Sequence, residues 1–292
     1  MRIPPLSGLL AACILILGAC TGNGGEDRQA GGTDGASLTC AKPGFSVYER
    51  DGRLWVFHEN SEHEATFLSV GEPAKSVTMI GVGPGGKSIR AIDKDVVVDY
   101  LAAKPGFHTE VKEGRVWVFR EGSEDHQRYL EHGEPGKCYT AIGVGPLGAT
   151  VRSESKDHVA AWLTAKPGYH TELVDERIWV LAEGSQAHQE FLANGEIGKN
   201  YTSIGTGPMG MSLRSDSRET VYSWAATEPG FNTHIVDGRI WVFEPGSEAE
   251  AEFKANGEPA KSVTFVGAGP LGMTVRGAER ATVVSYIAAS AN

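Results

Sequence analysis

One segment is written four times in this chain, at a fixed period of 62 residues. Pro43-Gly44, Pro105-Gly106, Pro167-Gly168 and Pro229-Gly230 mark its start. Trp55-Val56, Trp117-Val118, Trp179-Val180 and Trp241-Val242 follow in register, and a Gly-x-Gly-Pro-x-Gly run begins at Gly81, Gly143, Gly205 and Gly267. A period kept without insertion means one supersecondary unit copied in tandem, so the fold is read per unit. The units span residues 41–102, 103–164, 165–226 and 227–288. The repetition also bears on function: one enzyme site seldom needs four near-equivalent scaffolds, whereas a binding surface gains from them.

Within a unit, local chemistry orders the elements. Lys-Pro-Gly opens it (Glu228 replaces the lysine in the fourth copy), and an extended stretch such as Phe107-His108-Thr109-Glu110-Val111 alternates at period two. Asp51-Gly52, Glu113-Gly114 and Asp237-Gly238 then suit a tight hairpin that needs positive φ. The third unit has Glu176 at the glycine position, so a strained turn is expected there. The partner strand, Arg115-Val116-Trp117-Val118-Phe119 and its equivalents, is apolar on both faces and belongs at the centre of a sheet. Ser61, Ser123, Ser185 and Ser247, followed by Gly71, Gly133, Gly195 and Gly257, bracket a helix of about three turns. A second extended run turns at Pro146-Leu147-Gly148 into a short strand. The last helix puts Val97, Tyr100 and Leu101 on one face, with Ser155 and Ser217 as caps in the second and third copies.

The expected fold is α+β: four tandem ββαββα modules, each a small four-stranded antiparallel sheet with two helices on one face. A module of 62 residues is marginal alone. Neighbours are therefore expected to stack into a short array, pairwise through sheet edges.

The first residues read as a targeting segment rather than as part of that array. Arg2 is followed by the apolar run Leu9-Leu10-Ala11-Ala12-Cys13-Ile14-Leu15-Ile16-Leu17, too short for a comfortable transmembrane helix. Leu17-Gly18-Ala19-Cys20 resembles the lipobox of bacterial lipoprotein precursors. The resemblance covers residues 1–20 and implies a signal peptide over 1–19, with diacylated Cys20 as the mature N-terminus. Thr21, in place of the aspartate that favours inner-membrane retention in that family, implies the outer membrane if the envelope is Gram-negative. Several acyl chains give stable anchoring where one does not. With Cys20, the Gly-, Asp-, Ser- and Thr-rich residues 21–40 read as a flexible tether, about 24 Å in root-mean-square reach.

Charge and cysteine content exclude several function classes. Loss of Arg2 with the signal leaves 26 basic against 37 acidic residues, a net charge of −11, with no basic stripe. Such a chain is unsuited to nucleic acid. Cys40 and Cys138 remain in a compartment that permits disulfides, and either a Cys40–Cys138 bridge or two thiols fits the sequence. Without Cys-x-x-Cys or paired-histidine spacing they make no metal site.

The motifs that suggest catalysis have simpler readings. The Gly267-Ala268-Gly269-Pro270-Leu271-Gly272 run matches a dinucleotide fingerprint, yet it leads into the β-branched stretch Met273-Thr274-Val275-Arg276 rather than into a long helix. A Gly/Pro turn accounts for it, and no cofactor is expected. His108 and His170 align with Ser46 and Asn232, and His126 and His188 align with Glu64 and Glu250, so no copy-wide ligand set exists. No nucleophile elbow or Ser-x-x-Lys set occurs.

Charge, by contrast, repeats without exception. Arg53, Arg115, Arg177 and Arg239 stand two residues before each tryptophan, on the same strand face. Glu72, Glu134, Glu196 and Glu258 bracket a loop with Lys75, Lys137, Lys199 and Lys261, and Arg90, Arg152, Arg214 and Arg276 end the fourth strand. Two readings of these residues stand: an Arg–Glu pair pinning the loop over a core tryptophan, or a per-unit pocket for an anionic or sugar-like ligand. Together these features lead to an expected function. The chain is a lipid-anchored, extracytoplasmic, non-catalytic scaffold that binds an envelope protein or glycan. The alternatives are an envelope enzyme with a composite site between repeats, and a structural spacer.

Overall fold

The computed structural model describes Cys40 and residues 42–290. The expected signal peptide, Cys20 and tether residues 21–39 lie outside the described residues. Among those described, no helix is long and apolar enough to cross a membrane.

In the first module β1 (Phe45–Arg50) and β2 (Arg53–His58) form an antiparallel hairpin pairing Tyr48 with Trp55. Asp51 and Gly52 turn it at φ 51° and 69°. The equivalent Asp175 and Glu176 take φ 49° and 60°, so the strain expected of the third copy is present. A left-handed L-residue costs about 1–2 kcal/mol. Glu176→Gly is accordingly expected to raise stability by about 1 kcal/mol in urea denaturation; no gain would mean that the turn is not strained.

Helix α1 (Glu62–Val70) starts where Ser61 Oγ accepts the Glu64 N–H at 3.2 Å and stops at Gly71, φ 99°. Then come β3 (Val77–Met79), a 3-10 turn at Pro84–Gly86, β4 (Ser88–Ala91) and α2 (Lys94–Ala102). The second module repeats this as β5 (Phe107–Lys112), β6 (Arg115–Arg120), α3 (Glu124–His132), β7 (Tyr139–Ala141), β8 (Thr150–Ser153) and α4 (Lys156–Thr164). The third holds β9 (Tyr169–Val174), β10 (Arg177–Ala182), α5 (Gln186–Asn194), β11 (Tyr201–Ser203), β12 (Ser212–Ser215) and α6 (Arg218–Ala226). The fourth holds β13 (Asn232–Val236), β14 (Arg239–Phe243), α7 (Glu248–Asn256), β15 (Val263–Phe265), β16 (Thr274–Gly277) and α8 (Arg280–Ser290). Ser155 and Ser217 cap α4 and α6 as expected.

The α+β class and the fourfold ββαββα order stand, with two corrections inside each module. Strand order is β1-β2-β4-β3, and the central pair β2–β4 runs parallel, so the sheet is mixed rather than antiparallel. The helices also lie on opposite faces, not on one. Leu54, Val56 and Ile89 pack with Val97 and Tyr100 of α2 on one side. Trp55, Phe57 and Tyr48 pack with Phe67 of α1 on the other. The cause is in β2: a strand apolar on both faces needs cover on both, the situation of parallel α/β strands.

Neighbouring modules do not pair through sheet edges either; the four sheets stay separate. Instead α2 packs on β5, β6 and the Pro146–Gly148 turn of the next module, α4 on β9 and Pro208–Gly210, and α6 on β13 and Pro270–Gly272. The middle residue of each turn forms the wedge. Leu147, Met209 and Leu271 all sit at φ 55°, and their side chains reach the core of the preceding module. These side chains are half-buried, so each contributes roughly half of the ~1.5–3 kcal/mol of full burial, comparable to the cost of the left-handed backbone.

The series closes on itself. Helix α8 packs on the first module's Pro84–Gly86 turn, and the Gly85 N–H donates to Pro229 O at 3.3 Å. Here Gly85 replaces the Leu/Met wedge, which lets backbone meet backbone. The four modules thus form a ring, with the second helix of each turned toward the next module.

Candidate functional site

Each module leaves half of one sheet face uncovered. Helix α1 shields Trp55, Phe57 and Tyr48, whereas the opposite end of that face holds Arg53 from β2, Ser88 and Arg90 from β4, and Thr78 from β3. Register explains the grouping, since Arg53 pairs with Ser88 while Trp55 and Thr78 flank Arg90. Just past β3 stands Ile80, 85 % exposed; its counterparts Ile142, Ile204 and Val266 are 84 %, 84 % and 86 % exposed. In the fourth module Arg239, Thr264, Val266, Thr274 and Arg276 line an open depression of about 340 Å³.

The two arginines of each patch behave differently. Arg90 stacks over Trp55 at 4.3 Å, Arg152 over Trp117 at 4.8 Å, Arg214 over Trp179 at 5.3 Å and Arg276 over Trp241 at 4.2 Å. Arg90 also donates to Glu72 at 2.9 Å and Ser76 at 2.8 Å, and Arg276 donates to Glu258 at 2.7 Å and Ser262 at 2.9 Å. Arg152 reaches Glu134 at 3.6 Å. These arginines therefore pin the loop over a buried indole, and the tryptophan face is closed to a ligand.

The third module departs from this pattern. Ile197, where the other copies have proline, is buried among Trp179, Leu181 and Phe191. Among the described residues no carboxylate lies within ion-pair distance of Arg214. Arg53, Arg177 and Arg239 are exposed and carry no ion pair among those residues, and Arg115 reaches only exposed Glu113 at 3.6 Å. Lys75, Lys137, Lys199 and Lys261 are exposed on the loop before the third strand, and Lys261 does not line the Arg239–Arg276 depression.

Charge marks both arginine sets in the sequence, whereas the threonines and the exposed aliphatic residues carry no such mark. A single exposed isoleucine is unremarkable. Their recurrence at 78, 140, 202 and 264 and at 80, 142, 204 and 266 was the usable signal.

Two of the histidines serve as structural acceptors. His126 Nδ1 accepts the Gly122 N–H at 3.3 Å and His188 Nδ1 the Gly184 N–H at 3.1 Å. Glu64 and Glu250 accept the equivalent Asn60 and Gly246 N–H groups at 2.7 and 3.0 Å. His108 stacks on His126 at 4.6 Å, and burial, then the neighbouring imidazole, hold it below its ordinary pKa. Among the described residues no group of three or more His, Cys, Asp or Glu is placed to hold a metal ion.

Cys40 stands at the start of the first module, where its carbonyl accepts the Tyr100 hydroxyl at 3.0 Å. Cys138 packs beside Trp117, Phe119 and Tyr129 in the second, and the two cysteines are not bonded to one another.

One perturbed acid lies at a module boundary. Burial pushes Asp99 of α2 up to about 7, against a 3.2 Å hydrogen bond from Thr109 and with added repulsion from Glu110. His58 Nε2 stands 3.8 Å away. Ala161, Ser223 and Ser285 occupy the equivalent positions, so this arrangement is confined to one boundary. No family model, curated protein or solved structure matches the chain.

Proposed function

We propose that the protein is a lipid-anchored, extracytoplasmic, non-catalytic scaffold of the bacterial envelope. Its ring offers four equivalent outer patches to a protein or glycan partner, and acylated Cys20 holds it to the membrane. The observation that carries this reading is the exposed Ile80, Ile142, Ile204 and Val266, each set beside an unburied arginine and two hydroxyl residues. Their side chains contribute almost nothing to the core, so the fold does not require them in all four copies. An aliphatic knob with a guanidinium and hydroxyls around it supplies contact area, charge and hydrogen bonds without a nucleophile or base. Asp99 with His58, confined to one boundary, is a poor basis for a repeated catalytic site.

Capture from crosslinked envelopes tests the reading. Changing Ile80, Ile142, Ile204 and Val266 together to serine should leave folding intact and lower partner recovery at least tenfold. Single changes should lower it in steps, as expected for linked sites. An unchanged partner set from the quadruple variant, with folding verified, rules the patches out. In the same preparations Cys20→Ala should move the protein from the membrane to the soluble envelope fraction; retention would refute anchoring through that thiol.

A further inference from the structure

The opening residue of each Lys-Pro-Gly segment turns inward, so positions 42, 104, 166 and 228 gather where the modules meet. Three are lysine and the fourth is Glu228. Each lysine caps the second helix of its own module. Lys42 Nζ donates to Tyr100 O at 3.0 Å and Leu101 O at 3.2 Å, and Lys104 Nζ donates to Trp162 O at 2.7 Å and Leu163 O at 3.3 Å. Lys166 Nζ donates to Ala225 O at 3.2 Å and Thr227 O at 2.7 Å, and it also pairs with Glu228 at 3.2 Å. That carboxylate leaves Lys166 compensated.

Lys42 and Lys104 differ. Among the described residues neither has a carboxylate within ion-pair distance. Two carbonyls occupy two of the three N–H groups of each ammonium, and a helix C-terminus offers only about half an elementary charge. Each also lies over an aromatic ring, Lys42 over Tyr100 at 4.8 Å and Lys104 over Trp162 at 4.9 Å, which attracts the ammonium without supplying a negative charge, so each stays only partly neutralised. Lys104 also feels the positive charge of Lys166 and Lys42, with Glu228 opposing them. Burial lowers Lys42 to about 8, and burial with these two neighbours lowers Lys104 to about 7. The place is not sealed: the side chains of Lys166 and Glu228 keep 20 % and 18 % exposure.

We propose that the ring centre is a binding site for one small oxyanion, a carboxylate or a phosphate, held between the remaining N–H donors of Lys42 and Lys104. Two partly compensated ammonium groups call for one negative charge, and an anion with two oxygens can accept from both. The site is independent of the outer patches, being built from different residues on the opposite side of each module.

The test uses the full mature chain in detergent at constant ionic strength, with acetate and phosphate titrated separately against chloride at pH 7. The thermal midpoint should rise and saturate at millimolar acetate or phosphate, and whichever anion acts identifies the ligand class. Lys104→Met should weaken the response at least tenfold, while Lys94→Met, at the exposed start of α2, should leave it unchanged. A second readout serves if Lys104→Met fails to fold. Without oxyanion, wild-type stability should climb from pH 7 toward 10, because the folded state releases the lysine proton first. Saturating oxyanion should flatten that climb. A wild type indifferent to both anions, or a folded Lys104→Met that still responds, overturns the proposal.

Discussion

Gly230→Ala is expected to open the ring, at a cost of about 3 kcal/mol or more, whereas the same change at Gly44, Gly106 or Gly168 costs about 1–2 kcal/mol. The four glycines occupy one position of the repeat and share one backbone conformation, with φ of 79°, 78°, 80° and 84° in chain order. Each substitution therefore carries the same left-handed penalty. They differ in what a methyl group would meet. At Gly230 a Cβ would lie 2.1 Å from Gly85 N and 2.7 Å from Pro84 C, while at the other three nothing stands within 4 Å. Backbone cannot swing aside as a long side chain can, so the contact between the fourth and first modules has to part. Urea denaturation of the four variants gives the energies, and fluorescence transfer between labels in the first and fourth modules reports the separation. Four equal losses with unchanged transfer would mean that the ends do not meet.

Asp99→Asn is expected to stabilise the ring by about 2–4 kcal/mol at pH 8 and by almost nothing near pH 4. The Asp99 side chain is 11 % exposed and sits between the first two modules. Its folded pKa of about 7 lies above the ordinary 3.8, so the folded state holds the proton more tightly than the unfolded chain does. That advantage is complete below about pH 3.8 and is lost as pH rises through 7. Above that point the fold carries a buried carboxylate that half-exposed His58 does not offset, because burial holds that imidazole below its ordinary pKa and leaves it neutral there. Asparagine keeps an acceptor for the Thr109 hydroxyl and removes the charge. Stability curves of the two proteins should converge at acid pH and diverge through neutrality. Parallel curves would show that Asp99 is ionised in the folded state throughout that range.

Local features of the module were legible because each depends on a few neighbouring residues. The hairpin at Asp51-Gly52, the caps Ser61, Ser155 and Ser217 and the stop at Gly71 all lie where turn and capping chemistry puts them. Features set by distant pairing were not legible in the same way. Whether β2 and β4 run parallel depends on which strand fills the slot beside Trp55, and alternation within either strand says nothing of that. The two-faced apolar pattern of Leu54-Trp55-Val56-Phe57 was the available sign that helices belong on both sides. Ring closure had a sign as well. Gly85 breaks the series Leu147, Met209, Leu271 at the only copy whose turn meets the last helix. In the outer patch the arginines are marked in the sequence by their charge, whereas Thr78 and Ile80 are not, because neither residue type implies chemistry by itself.

Closure also fixes the copy number. Open solenoids lengthen by duplication, since a new repeat simply adds to the end, and they need polar capping repeats where stacking stops. Here the last helix already rests on the first turn, so a fifth copy would have to pry that contact apart and change every angle between neighbours. A circle of this curvature admits four members, and its two ends shield each other without any specialised cap.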